Sequence, residues 1–262
     1  MLTLLAAAAA VKLAYSFPAG TSRTYDVAVI FDGYVPLFGG NQGKVEADLV
    51  VTAKGLAAAA DGSPQVLSSL DDIHVLLDGN PLNVVTKESA VAFFPPTTIS
   101  MTPLGETLKT NAPDSTLPVK LPGLDIKRFP DITYIPLQLP PDGAEVGKPY
   151  TFKRKFGDSD IDYTVTPTKV GDAGVDMDVA LKQSYTVFET DGKDVTTERK
   201  DAASEVKTDW AGKGTATFDP NLGAFTAVRV DANAHSIVTD LTTKQQSTRD
   251  LKTTLTIKLR KD

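Results

Sequence analysis

Apolar and polar side chains alternate along the chain, and they do so most clearly from Gly174 to Glu189. The apolar positions there are Val175, Met177, Val179, Leu181, Tyr185 and Val187. Successive side chains on a strand point to opposite faces, so the pattern predicts a strand with one apolar and one solvated face. No apolar residues recur there at helical spacing.

The same two-residue period recurs along most of the chain. It predicts strands at 12–17, 21–31, 44–52, 97–102, 106–110, 150–156, 161–165, 204–218, 225–241 and 252–260. Segment 65–77 fits a helix or a strand, and the turn residues at 78–81 favour a strand with a bulge near Ser69. A change of phase in 225–241 predicts a second bulge at 233–236. We therefore expect an all-β fold with little helix, in which long antiparallel meander strands form one or two strongly curved sheets, half-barrel or clam-like.

Segment 111–149 breaks this pattern because it is rich in proline. The prolines are Pro113, Pro118, Pro122, Pro130, Pro136, Pro140, Pro141 and Pro149. Proline removes a ladder donor, so no regular sheet is expected there, yet the segment is too apolar for a free linker. We predict an ordered, extended strap that packs on the sheet and either joins two halves or closes a cavity. Its candidate ligand-binding residues are Phe129, Tyr134, Ile135, Leu137 and Leu139.

The strap gives a provisional division of the chain. The parts are a signal-peptide remnant (1–10), an N-terminal β half (11–110), the strap (111–149) and a C-terminal β half (150–262). The two halves could also form one continuous domain.

Composition narrows the classes of function. The net charge of −6 and the pI of about 5.0 argue against binding nucleic acid, because phosphates would be repelled. The chain has no cysteine, which excludes disulfides, thiolate metal sites, a cysteine nucleophile and a lipobox.

The first ten residues form an apolar run that ends in alanines. This is typical of the end of a signal peptide, with cleavage near Ala8 or Ala10, and it predicts a secreted or periplasmic protein. A short buried helix is the alternative. No other apolar run approaches the roughly 20 residues that span a bilayer, so a membrane-spanning protein is not expected.

Candidate chemistry is sparse. His74 and His235 are the two histidines, and neither has a partner at metal-ligand spacing. Because no G-x-S-x-G motif accompanies them, structural or solvated histidines are favoured over catalytic ones.

Acidic residues alternate at Asp158, Asp160 and Asp162, as at the start of a calcium loop. Tyr163 and Lys169 then stand where that loop needs glycine and glutamate. A solvated strand face is favoured, and an irregular calcium site is the alternative. The sequence predicts no catalytic residue, no metal and no cofactor.

The C-terminal half carries a resemblance. Val146-Gly147-Lys148-Pro149 precedes an aromatic strand, and the run from Gly212 to Asp219 leads to Gly223 and the next long strand. About 115 residues resemble uncharacterised secreted bacterial all-β proteins. Their general build is similar to that of periplasmic lipoprotein carriers, whose curved sheet wraps an apolar cavity. The resemblance implies a ligand cavity, with the strap in place of the helices that plug it.

Together these patterns favour a non-catalytic extracytoplasmic protein. Its expected partner is an apolar or amphiphilic small molecule, or an envelope protein, bound between sheet and strap. The alternatives are a hydrolase acting on carbohydrate or ester substrates and a purely structural or adhesive module.

Overall fold

The computed structural model describes residues 10–35, 41–112, 131–156, 159–171, 173–190, 195–196 and 198–261. Within them the chain folds into a 13-stranded sheet. The strands are β1 (Ser22–Val35), β2 (Asn41–Gly55), β3 (Gln65–Leu77), β4 (Asn80–Pro81), β5 (Thr97–Met101), β6 (Thr107–Thr110), β7 (Tyr150–Phe156), β8 (Ser159–Gly171), β9 (Gly174–Glu189), β10 (Val195–Thr196), β11 (Ser204–Asp219), β12 (Ala224–Asp240) and β13 (Gln246–Leu259). The helices are α1 (Lys87–Phe93) and α2 (Asp131–Tyr134), with a 3₁₀ turn at Arg199–Asp201.

The strand pairs of the sheet are antiparallel, and the first and last strands in sequence, β1 and β13, lie side by side in its middle. Its main path runs β6-β5-β3-β2-β1-β13-β12-β11-β9-β8-β7, while β4 pairs with β3 and β10 with β9. Because β1 pairs with β13, the two halves of the chain share one sheet. The outer strands β6 and β7 do not meet, so the sheet is not closed into a barrel. The predicted all-β fold is confirmed.

One face of the sheet is buried, and it is called the inward face below. On β9 the odd-numbered residues from Val175 to Gln183 are buried, and on β12 the even-numbered residues from Val228 to Ala234 are buried. The two-residue period of the sequence therefore identifies the buried side of each long strand.

Segment 65–77 forms strand β3, as favoured, and its bulge lies close to the predicted place. Val50 pairs with Asp72 and Val51 with Leu70, so Asp71 is the extra residue, two positions beyond Ser69. The bulge predicted at 233–236 is wrong. That part of β12 keeps its register with β11, and Ile237 points outward with 41% of its surface exposed.

The strand predicted at 12–17 is also wrong, although the alternation is real. Residues 10–18, the N-terminal segment, are extended but join the ladder pattern only at an isolated bridge between Val11 and Ala144. Leu13, Tyr15 and Phe17 are buried. The segment crosses the loops at one end of the strands, where the Tyr15 N–H donates to the Pro103 carbonyl at 2.7 Å. A chain that crosses loops alternates like a strand but has no neighbouring strand to pair with.

Glycines make room for this crossing. A Cβ at Gly105 would lie 2.5 Å from Tyr15 Cε2, and one at Gly223 would lie 2.6 Å from Ser16 Cβ. Both glycines also have positive φ, +87° and +61°, a region that other residues rarely adopt. The N-terminal segment is thus seated in a groove that only glycine permits at these two turns.

Candidate functional site: the inward face and its strap

Four of the five strap residues predicted to bind a ligand are described by the structure, and they pack in the core against the inward face. Tyr134, Ile135, Leu137 and Leu139 are 0%, 2%, 2% and 3% exposed and belong to the hydrophobic core. Phe129 lies outside the described residues. The ring of Tyr134 meets that of Phe17 edge to face at 5.7 Å, so the strap packs against the N-terminal segment as well as the sheet.

Side chains from other elements donate hydrogen bonds to four backbone carbonyls of the strap. The acceptors are the carbonyls of Ile135, Pro136, Leu137 and Gln138. The buried Arg154 guanidinium donates to the first two at 2.9 and 3.3 Å, and the hydroxyls of Tyr15 and Tyr150 donate to the others at 2.6 and 3.0 Å. Since prolines keep the strap out of the ladder, three long polar side chains take the place of a neighbouring strand.

Burial keeps these phenols protonated. Burial raises the pKa of Tyr15 well above its usual value, partly offset by the positive charge of Arg154. Burial also raises the pKa of Tyr150 and raises that of Tyr25 to about 12. The two hydroxyl donors to the strap therefore persist across the neutral pH range.

A row of polar side chains crosses the inward face between apolar neighbours. Strand register places Arg154 opposite Ile161 on β8, and Gln183 opposite Trp210 on β11. Strands β8 and β9 are antiparallel and Asp162 pairs with Lys182. Ile161 therefore lies opposite Gln183, one residue along each strand. We call Arg154, Gln183 and Trp210 the inward polar row.

Each member of the inward polar row is buried and has a free polar atom. Arg154, Gln183 and Trp210 are 7%, 3% and 5% exposed. Their Nε, Oε1 and Nε1 atoms have no hydrogen-bond partner in the part of the chain that the structure describes. The Gln183 amide does use its other end, donating to Ser159 Oγ at 2.8 Å. Buried polar groups are nearly always paired, so three open atoms in one row call for a physical reason.

The next row toward the far ends of these strands is polar and fully paired. Tyr185, Thr208, Ser236 and Arg249 occupy directly opposed positions on four strands. The hydroxyls of Thr208 and Ser236 are 2.8 Å apart. Burial raises the pKa of Tyr185 to about 12, and its hydrogen bond with Thr208 acts in the opposite direction.

Arg249 forms an ion pair across the inward face. Its Nη1 lies 2.8 and 3.0 Å from the two carboxylate oxygens of Glu189, and its guanidinium stacks over the Tyr34 ring at 4.1 Å. The two side chains are 17% and 7% exposed. Glu189 is on β9 and Arg249 on β13, with β11 and β12 between them. On a flat sheet, three strand-to-strand steps span about 14 Å. The contact between Glu189 and Arg249 therefore requires strong curvature here.

The outward face holds His235 in an exposed contact with a carboxylate. Its Nδ1 lies 2.7 Å from Asp250 Oδ1, and the two side chains are 56% and 74% exposed. Beside it, Ser184 Oγ donates to Asp209 at 2.6 Å, at the edge of a groove of about 620 Å³. The serine hydroxyl contacts a carboxylate and not the imidazole, so this arrangement does not activate a nucleophile. His74 is also exposed.

The acidic stretch on β8 faces outward too. Asp162 lies 3.0 Å from Lys153 Nζ, and Asp160 is opposite Lys155 in the register. Asp158 lies outside the described residues. The hydrogen bond that Lys153 donates to the Asp162 carboxylate raises the pKa of Lys153. Among the residues described, no three His, Asp or Glu side chains are grouped to hold a metal ion.

Sequence reasoning missed the inward polar row, although a signal was present. Gln183 lies in phase with Leu181 and Tyr185, and Arg154 lies in phase with Phe152. A polar residue at an inward position of an apolar strand face marks a buried polar group. Which of these positions share a row depends on strand register, which the sequence alone does not supply.

Comparison with known proteins gives a fold likeness. No family model matches the chain, and no curated protein matches it. A solved structure of lipovitellin, a study of its lipid–protein interactions, has a TM-score of 0.54 and 11% identity. The match covers 94% of this chain and 26% of the lipovitellin chain. No helix in the described ranges is long and apolar enough to cross a bilayer. The chain therefore shares its sheet architecture with about a quarter of a much longer protein.

Proposed function

We propose that this protein is non-catalytic and binds an apolar or amphiphilic ligand between the inward face and the strap. One observation carries the proposal: in the described ranges, irregular chain and the short helix α2, and not a second sheet, lie over the inward face of an open sheet. The strap is held by side-chain hydrogen bonds, by a few backbone hydrogen bonds such as that from Leu139 N–H to the Leu104 carbonyl, and by apolar packing. It can therefore shift to admit a ligand without breaking the ladder bonds of the sheet.

The fold likeness supports the same proposal. Lipovitellin has been solved with attention to its lipid–protein interactions, and a portion of it has the same sheet architecture. An open antiparallel sheet with one apolar face can offer a lipid a large surface, provided that other chain segments shield the rest from water.

We also propose that the protein acts outside the cytoplasm, with an envelope protein as a second candidate partner. The apolar run at 1–10 supports this through the predicted signal peptide. The Val11 N–H donates to the Ala144 carbonyl, and Leu13 is buried. Cleavage near Ala8 or Ala10 would leave these contacts intact.

Native mass spectrometry of gently purified protein tests the proposal. We expect a mass above that of the polypeptide, and organic solvent should release the excess as an apolar or amphiphilic compound. Protein stripped in this way and refolded should take up an added long-chain probe at saturable stoichiometry. A bare polypeptide mass together with no saturable uptake would contradict the proposed function.

A further inference from the structure

The inward polar row has unused hydrogen-bonding capacity of one dominant kind. Arg154 Nε and Trp210 Nε1 are N–H donors, and one of them belongs to a cation. Gln183 can present its oxygen, or its amide nitrogen if Ser159 Oγ becomes the donor in their mutual bond. Two of the three open atoms are therefore donors without an acceptor, and a negatively charged group would supply the acceptors.

Arg154 is also a buried charge without a counter-ion. It is 7% exposed, and its guanidinium contacts two backbone carbonyls. No carboxylate in the described part of the chain pairs with it. A buried cation is strongly destabilising unless it is paired, so the site favours an anion from outside the chain.

Resting on the proposed function, we propose that the inward polar row binds the anionic head group of an amphiphile, a carboxylate or a phosphate. Arg154 supplies the charge, Trp210 an N–H donor, and Gln183 an amide that selects the orientation. On a flat sheet, Arg154 would lie two strands, or about 10 Å, from Gln183 and three strands, or about 14 Å, from Trp210. The Glu189–Arg249 contact shows that the inward face is concave, and long side chains on a concave face converge toward their tips.

Small inward-facing residues beside Trp210 suit the apolar chain of such a ligand. Beside Trp210 the inward positions are Gly212, Ala232 and Ala234, which project little side chain from the sheet. The apolar chain of an amphiphile whose head group is held by the inward polar row would lie against these small residues.

Arg249 is the other inward-facing arginine that an anionic head group could reach, but it is less suitable than Arg154. Glu189 already neutralises it with two short contacts, at 2.8 and 3.0 Å. An anion would have to displace that carboxylate, whereas Arg154 has no carboxylate to displace.

Calorimetric titration of delipidated, full-length protein tests the assignment. The probes are dodecanoate, dodecyl phosphate and dodecanol, which share one chain length and differ in the head group. Charge-assisted hydrogen bonds should make the better anion bind at least about 10-fold more tightly than dodecanol. The ranking of the two anions distinguishes a carboxylate head group from a phosphate.

Variants then locate the head group. Trp210→Phe keeps a ring but removes the N–H, and Arg154→Gln removes the charge; each should weaken anion binding by about 10-fold. Both should weaken dodecanol binding less than anion binding, because the alcohol carries no charge. Arg229→Gln is the matched control, since Arg229 is exposed on the outward face and paired with Asp231. Circular dichroism checks that each variant folds, and Gln183→Leu replaces Arg154→Gln if the latter does not.

The outcomes separate this inference from the proposed function. Equal affinity for the anions and dodecanol would overturn the head-group assignment while leaving apolar binding in place. Anion binding that is insensitive to both variants would overturn it as well. Failure of all three probes to bind would overturn the proposed function itself.

Discussion

Tyr15 joins the N-terminal segment to the sheet through its ring and to the strap through its hydroxyl. Its ring packs against Phe218, and its hydroxyl donates to the Leu137 carbonyl at 2.6 Å in a buried setting. Tyr15→Phe leaves that carbonyl without its donor, which should lower the free energy of unfolding by about 1–3 kcal/mol. Urea denaturation measures the change.

Tyr150→Phe is the matched comparison for this prediction. Its hydroxyl donates to Gln138 at 3.0 Å in a part-buried setting, so water can replace it and a smaller loss is expected. An equal loss in both variants, or none in Tyr15→Phe, would contradict the assigned role of Tyr15.

Buried tyrosines also predict an alkaline limit to stability. Burial raises the pKa of Tyr15, and it raises those of Tyr25 and Tyr185 to about 12. In the unfolded chain these phenols lose protons near pH 10, so above that pH the unfolded state binds fewer protons and stability falls. Below pH about 10 their contribution is complete.

Parallel pH titrations of tyrosinate absorbance and circular dichroism measure this. We expect part of the tyrosine absorbance change to coincide with unfolding. Complete ionisation of all tyrosines near pH 10 with the fold intact would show that these hydroxyls are not buried.

The N-terminal segment depends on the glycines beneath it. Gly105→Ala should lower the free energy of unfolding by about 2 kcal/mol or more, because it adds a clash with Tyr15 to the strain of positive φ. Gly147→Ala controls for the strain alone, since φ is +77° there and no atom lies within 4 Å of the added Cβ. Equal destabilisation of the two variants in urea would mean that the crossing is not close.

At the level of elements, the local pattern predicted most of the long strands. The two-residue period in β9 arises because one face of the strand is apolar. This local pattern is enough to predict the strand. The N-terminal segment shows the same period without being a strand, because its neighbours are loops. In β12 the apolar Ile237 suggested a change of face, yet it lies outward, since a single exposed apolar residue costs little. Helix α1 was missed; its Thr86–Ser89 capping box is a short local signal.

The curvature of the whole sheet predicts a strong coupling between Glu189 and Arg249. Removing either partner alone leaves a buried charge, so Glu189→Gln or Arg249→Met should each cost about 3 kcal/mol. The double variant should cost clearly less than the sum of the two. Urea denaturation of the full double-mutant cycle measures the coupling.

The exposed pair of Arg229 and Asp231 on the outward face is the control cycle. Its side chains are 59% and 55% exposed, so its coupling should stay below about 1 kcal/mol. If the two cycles give similar values, β9 and β13 do not approach across the inward face as described.

The candidate site emerges only at the scale of the whole molecule. The strap could be predicted from its prolines and apolar residues, and Tyr134, Ile135, Leu137 and Leu139 do lie against the sheet. The inward polar row could not be predicted, because Arg154, Gln183 and Trp210 come from three strands. Only the register of strand pairing places them in one row. Register depends on pairing between distant segments, which a local pattern does not encode.

Photolabelling with a fatty acid that carries a diazirine in its chain tests most directly whether ligand lies between sheet and strap. We expect saturable labelling of inward-facing peptides around Leu181 and Trp210 and of the strap around Leu137, with competition by unlabelled fatty acid. Labelling confined to the outward face around His235, or labelling that does not saturate, would contradict the account.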